Sequence, residues 1–272
     1  MSVKGLCQAV GMTRQNFYKG RRRRSRRQVD EELIVELISQ ERAVQPRLGG
    51  RKLLHMVRGE LAKAGLAIGR DRFFELLGKH ELLIERPVRT VGTTNSRHSF
   101  RVYANLLKDR PPTGPHQALV SDITYLRTEE GFLYLCLVMD AFSRAIVGFD
   151  CSDTLEREGA LRALEQALKQ LPSDRETIHH SDRGSQYCCH EYVGRLEASG
   201  VRISMTQENH CYENSQAERL NGILKQEYGL GSGFVGKSEA RQAVSEAVGL
   251  YNHRRPHGAL GYAVPMEVHR AA

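Results

Sequence analysis

Three acidic residues stand where a carboxylate is costly unless something binds it. Asp122 interrupts the strand-forming run Leu119-Val120-Ser121-Asp122-Ile123-Thr124-Tyr125, and an ionised carboxylate among strand formers needs a partner or a metal. Asp182 follows Thr177-Ile178-His179-His180 and precedes Arg183-Gly184-Ser185, a strand-to-loop exit of the kind that lines ligand crevices in α/β sheets. Glu218 falls in Ser215-Gln216-Ala217-Glu218-Arg219-Leu220, a helical stretch on which Glu218, Asn221 and Lys225 share one face. Brought together, the three would form an all-oxygen ligand set for a hard ion such as Mg²⁺, which typically takes a few carboxylates plus substrate phosphates. Two such ions would polarise a scissile phosphate, activate the attacking water or hydroxyl and steady the leaving oxygen. The alternative makes Asp122 a satisfied core residue, Asp182 a helix N-cap and Glu218 a surface charge.

The scaffold for these residues is legible in the hydrophobic periodicity. Strands are expected over 117–128, 132–139 and 144–151, joined by short connections as an antiparallel meander. A helix over 155–171, a strand over 176–180, a helix over 185–199, a strand over 201–205 and helices over 213–228 and 238–252 follow. That order predicts a mixed α/β sheet with helices on its faces.

The front of the chain reads differently. Residues 3–19 suggest two short helices around Gly11, with Thr13 as N-cap and Leu6, Ala9, Val10 and Phe17 as a small core. Arg14, Gln15 and Asn16 would then open a recognition helix in a helix-turn-helix-like arrangement. Amphipathic helices are expected over 29–42, 51–64 and 70–77, with Arg51, Lys52, Arg70 and Arg72 exposed. The domain reading is a basic all-α region over 1–88, a linker over 89–116 that contains Pro111-Pro112 and Gly114-Pro115, and a core over 117–272.

The charge follows this division. The formal net charge is +8, but residues 1–115 hold 24 Lys+Arg against 11 Asp+Glu, whereas residues 116–272 hold 16 against 21. Arg21, Arg22, Arg23, Arg24, Arg26 and Arg27 lie within seven residues. So many guanidinium groups outnumber any local carboxylates, and DNA phosphates are their natural partners; a solvated linker is the bland alternative. No run of eighteen apolar residues exists, which excludes a membrane-spanning helix, and Met1–Val10 lacks the apolar centre of a signal peptide. Six cysteines without a CxxC pair argue against a disulfide framework or a thiolate zinc site.

Residues 117–267 resemble the integrase core of DDE transposases, a ribonuclease H-like fold, and within that group the second-frame transposases of the IS-three insertion-sequence family. The resemblance is carried by Ser121-Asp122-Ile123-Thr124-Tyr125, Val138-Met139-Asp140-Ala141-Phe142-Ser143-Arg144 and His180-Ser181-Asp182-Arg183-Gly184-Ser185-Gln186-Tyr187. Glu213-Asn214-Ser215-Gln216-Ala217-Glu218 with Leu224-Lys225-Gln226-Glu227, and Tyr251-Asn252-His253-Arg254-Arg255-Pro256-His257, complete it. Asp182 and Glu218 have 35 residues between them, the spacing by which this class is named. The chain departs from the family in lacking a tryptophan before the first aspartate and in having Glu213-Asn214-Ser215 where Asp-Asn-Ala is usual; neither departure touches the triad.

The resemblance implies Asp122, Asp182 and Glu218 as catalytic metal ligands for two Mg²⁺ ions, with Mn²⁺ able to substitute. It implies that Lys225 and Asn221 face the transposon end, while Arg254 is a further candidate DNA contact or a helix C-terminal dipole partner. Asp140 reads as a turn or cap residue. The implied activity is strand cleavage and strand transfer at terminal inverted repeats and target DNA, through a circular intermediate. Homo-oligomers on DNA, a possible fusion or partnership with an upstream-frame protein, and a cytoplasmic, nucleoid-associated location are expected, with no membrane partner. The rival functions are a catalytically silent DNA-binding regulator and a ribonuclease H-like nuclease that joins nothing.

Overall fold

The computed structural model describes residues 2–84, 100–108, 110–173, 176–207 and 214–271, apart from the side chains of a few helical residues, among them 23–28. The expected linker lies outside these through residue 99 and at 109. The chain divides into two compact units, residues 1–85 and 86–272.

In the first unit, α1 spans Val3–Ala9 and α2 Arg14–Val44, followed by α3 at Gly50–Lys63 and α4 at Arg70–Lys79. Thr13 caps α2 by accepting a hydrogen bond from the Asn16 N–H. The expectation of separate helices across 13–42 is corrected, because α2 runs unbroken through the arginine cluster. Periodicity is silent in an all-polar stretch, yet Arg, Gln and Lys are good helix formers and nothing after Gly20 breaks the helix. Of the small core expected around α1, Val10 is 64% exposed and Phe17 half-buried, and the side chains of Leu6 and Ala9 lie outside those described. The core of this unit lies further on, where Ile34 and Ile38 meet Leu53, Leu54, Val57, Leu61, Phe73, Leu76 and Leu77.

The second unit is a five-stranded sheet. Its strands are β1 (Ala118–Thr128), β2 (Gly131–Asp140), β3 (Ile146–Ser152), β4 (Ile178–Ser181) and β5 (Arg202–Met205). The spatial order is β3-β2-β1-β4-β5, antiparallel across the first three and parallel from β1 outward. Helices α5 (Arg157–Leu168), α6 (Ser185–Cys188) and α7 (His190–Ala198) make the crossovers, and α8 (Ser215–Glu227), α9 (Lys237–His253) and α10 (Pro265–Arg270) follow. The helix expected over 185–199 is two helices, and α10 was not anticipated because six residues cannot display a period.

Side chains of β1 alternate between two cores. Ala118, Val120 and Leu126 pack with α8 and α9, while Leu119 packs with α5, α6 and α7. The sheet is therefore covered on both faces, and the mixed α/β ribonuclease H-like class expected from the sequence is the fold observed. None of the described helices is long and apolar enough to cross a membrane.

One close approach sets the distance between sheet and helix. A Cβ added at Gly148 on β3 would lie 2.0 Å from the Ala163 carbonyl oxygen of α5, so the backbones touch where any side chain would part them. Gly148→Ala is expected to lower the stability of the second unit by about 1–3 kcal/mol through overpacking, read as a lower urea midpoint at unchanged slope; an unaltered midpoint would show that α5 has slack.

Candidate active site

Asp122 sits in β1 with its side chain toward α8, on the same face as Val120. The parallel β1–β4 ladder runs to the pair Val120 with His180. Continued by two residues, that register sets Asp122 alongside Asp182, just past the end of β4. Asp182 turns back on its own loop, its Oδ1 accepting the Gly184 N–H at 2.9 Å. Gly184 has little room for anything else, because an added Cβ would lie 3.0 Å from that same oxygen. Glu218 is exposed in the first turn of α8, one turn before Asn221.

Asn221 links the helix to the strand. Its Nδ2 donates to Asp122 Oδ2 at 2.7 Å, and the Ile123 N–H donates to Oδ1 at 2.9 Å. The Asn221 side chain, expected to face DNA, is thus buried and engaged with Asp122. At the start of α8, Asn214 Nδ2 reaches the Ser121 carbonyl at 3.2 Å, a second tether to β1. Lys225 is half-buried with its Nζ 4.6 Å from the centroid of the Tyr125 ring. Burial lowers its pKa, opposed by the charge of Asp122.

Each of the three carboxyls feels or exerts charge across the site, though their oxygens do not all lie within 4.8 Å of one another. The carboxyl of Asp122 is pushed up to about 7, chiefly by burial, then by the negative charge of Asp182 and more weakly by Glu218, against the two hydrogen bonds it accepts. The Glu218 carboxyl is raised by desolvation and by Asp182. Three carboxylates that disfavour one another's ionisation, with Asn221 and a backbone N–H holding one of them, make an oxygen-only donor set that suits a hard divalent cation.

Beneath the site, on the opposite face of β1, Ser121 Oγ and the Tyr192 hydroxyl both meet His179 Nε2, at 2.7 and 3.0 Å. Burial pushes the His179 imidazole down to about 3, so it is neutral, and it fixes β4 against β1 and α7. Beside it, His180 Nδ1 contacts Ser204 Oγ at 2.8 Å. These residues escaped the sequence reading, since a neutral structural histidine and a ligand look alike in sequence. The same holds for Arg255, which is 2% exposed and bonds Glu227 through Nε and Nη2 at 2.8 and 3.0 Å. Its neighbour Arg254, the candidate DNA contact or dipole partner of the sequence, is exposed at the end of α9.

In the other unit, Arg14, Gln15, Arg21 and Arg22 are exposed on α2, which also carries Arg23, Arg24, Arg26 and Arg27. Arg70 and Arg72, expected to be exposed, are exposed but paired: Arg70 with Asp71 at 2.8 Å, Arg72 with Glu31 and Glu75 at 2.7 and 3.0 Å.

Fold and site define the class: this is an integrase-like core, and the integrase core family matches residues 112–211 and, through a second model of the same domain, 199–265. A chain of the simian T-cell lymphotropic virus intasome in complex with the PP2A regulatory subunit B56 gamma superposes with a TM-score of 0.51 at 16% identity, over 86% of this chain and 75% of that one. The chain is also 34% identical to the 31 kDa protein of insertion element IS600 of Shigella sonnei, over 96% of both chains. It is 30% identical to the transposase InsF of insertion sequence IS3A of Escherichia coli, over 97% of this chain and 92% of that one. The chain belongs to the IS3-type transposases with an integrase-like core. It is a polynucleotidyl transferase of DNA transposition and integration.

The shifted carboxyl gives a sign that can be checked without DNA. A carboxyl whose folded pKa exceeds its unfolded value costs stability above the unfolded pKa, increasingly up to the folded one. Asp122→Asn should therefore stabilise the metal-free protein at pH 8 by on the order of 2 kcal/mol after solvent screening, and the gain should vanish near pH 4. Thermal melts across that range check it; a gain independent of pH would remove the repulsion from the account.

Proposed function

We infer that the protein cleaves and joins DNA strands at the ends of an insertion sequence, with Asp122, Asp182 and Glu218 as the catalytic metal ligands. The observation that carries this reading is the raised carboxyl of Asp122, burdened by the charges of Asp182 and Glu218. Evolution tolerates such crowding where a divalent ion relieves it. When bound, Mg²⁺ or Mn²⁺, as a pair of ions, would supply Lewis-acid polarisation of the phosphodiester and lower the pKa of the attacking water or 3′-hydroxyl.

The protein's own residues position and protect. Asn221 and the Ile123 N–H hold the Asp122 carboxylate in one rotamer, and the Gly184 N–H does the same for Asp182. Lys225, one turn beyond Asn221 on α8, offers a cation to a phosphate approaching Tyr125. Arg14, Gln15, Arg21, Arg22 and the rest of the arginine cluster, together with Arg254, are the proposed DNA contacts. The working division is a basic DNA-binding region over 1–88, a linker over 89–116 and the catalytic core over 117–272. Pairing two transposon ends calls for an oligomer on DNA; a fusion with an upstream-frame protein and a place at the bacterial nucleoid in the cytoplasm complete the proposal.

Asp182→Asn and Glu218→Gln are each expected to reduce metal-dependent joining of a labelled 3′-OH end by at least ~10³-fold, the loss of several kcal/mol of charge stabilisation, with gel-shift affinity retained. Undiminished joining refutes the assignment, and wild-type nicking without joining would favour the nuclease reading. Replacing Arg21 and Arg22 by alanine should reduce the slope of log affinity against log salt by about 1.8; an unchanged slope removes both from the DNA contacts.

A further inference from the structure

On the other side of the sheet lies a second cluster of metal-ligating groups, made of His116, Asp140 and His269. Leu119 pairs with Asp140 across the β1–β2 ladder, so by strand alternation the Asp140 side chain is on the face opposite Asp122. It is also displaced from Asp122 by three residues along the sheet, roughly 10 Å. One donor atom from each of the three residues lies within 4.8 Å of the others. Asp140 and His269 are buried, at 0% and 6% exposure.

The carboxylate is fixed before any ion arrives. Asp140 Oδ1 accepts the Phe142 N–H at 3.1 Å, the Ser143 N–H at 2.7 Å and the Ser143 hydroxyl at 2.8 Å. Oδ2 accepts the His116 N–H, at 2.7 Å. His116 itself is held at φ 66°, a left-handed conformation that a histidine adopts at a cost, and Thr177 Oγ1 donates to its carbonyl at 2.7 Å. That backbone brings the His116 ring to 4.4 Å from the ring of His269, centroid to centroid. His269 Nδ1 stands 4.0 Å from Asp140 Oδ2 and 3.0 Å from Ser143 Oγ.

The donor chemistry completes the case. Asp140 is wholly buried with His269 at 4.0 Å. The donors are two nitrogens and one oxygen, the set preferred by zinc-like ions and poor for Mg²⁺. Tetrahedral zinc would space its donors by about 3.3 Å, reached by small side-chain rotations with His269 ligating through Nε2, since its Nδ1 meets Ser143 Oγ. The hydrogen bonds to Asp140 and the Ser143 contact to His269 are the outer-shell support such ligands usually have.

We propose that His116, Asp140 and His269 form a structural binding site for one Zn²⁺-class ion, separate from the triad. The ion would staple α10 to the point where the chain enters β1 and leaves β2. This site is independent of the catalytic reading. The test uses the full chain in an Asp182→Asn, Glu218→Gln background, stripped with chelator and titrated with ZnCl₂, then with Co²⁺. One equivalent of Zn²⁺ is expected to bind in the presence of excess Mg²⁺ and to raise Tm. The Co²⁺ spectrum should be of four-coordinate nitrogen–oxygen type without thiolate charge transfer. His116→Ala, at a half-buried position, should weaken Zn²⁺ at least 100-fold while leaving the metal-free Tm within a few degrees; His269→Gln is the second arm. The proposal is overturned if no Zn²⁺ is retained, if cobalt reports sulfur ligation, or if His116→Ala binds Zn²⁺ as wild type does.

Discussion

The contact between α8 and β1 is the constraint on which the catalytic half of this molecule depends. A carboxylate in the middle of a strand has no local reason to remain ionised, and its neighbours Asp182 and Glu218 make matters worse. What keeps it aligned is Asn221, whose side chain crosses from the helix at 2.7 Å, with Asn214 gripping the Ser121 carbonyl at the start of the same helix. Apolar packing of Leu220 and Leu224 against Val120 and Leu126 holds the two elements together. Repulsion among the acids is thus balanced by burial elsewhere on the same helix, an arrangement that trades stability for a site ready to receive positive charge.

Sheet and helices divide the labour differently on the two faces. On the α8 side, polar side chains reach into the site. On the α5–α7 side, the Ser121–His179–Tyr192 network is sealed and its imidazole neutral, so it fixes strand spacing without adding charge beneath the triad. The near-contact of Gly148 with α5 serves the same end, since it holds the sheet at one distance from its helical backing.

Much of this was legible in the residues. Strands β1 to β3 and helices α5, α8 and α9 announced themselves through apolar period, and Asp122, Asp182 and Glu218 stood out because a carboxylate in a strand, at a strand exit and on a helix face is conspicuous. What stayed hidden obeys other rules. The continuity of α2 rests on backbone propensity in a stretch with no apolar stripe. The partner of Asn221 lies 99 positions back in the chain, a pairing that only the fold can reveal. Arg255 and Arg254 are equivalent as letters, and only the presence of Glu227 makes one a buried ion pair and leaves the other outside.

The route from Asp182 to Glu218 has an evolutionary corollary. Helices α6 and α7 and strand β5 form a self-contained excursion that leaves the site and returns to it. Its length is held by packing, since Tyr187, Tyr192, Leu196 and Met205 are buried against the sheet, and the fixed separation of the two acids follows. Between Asn214 and Lys225 the tolerance is smaller still. One inserted residue would turn everything downstream by about 100° around the helix axis, parting Glu218 and Asn221 from Asp122 at a stroke. Lineages descending from such a chain should therefore record their history of insertions outside the stretch from Asp182 to Lys225.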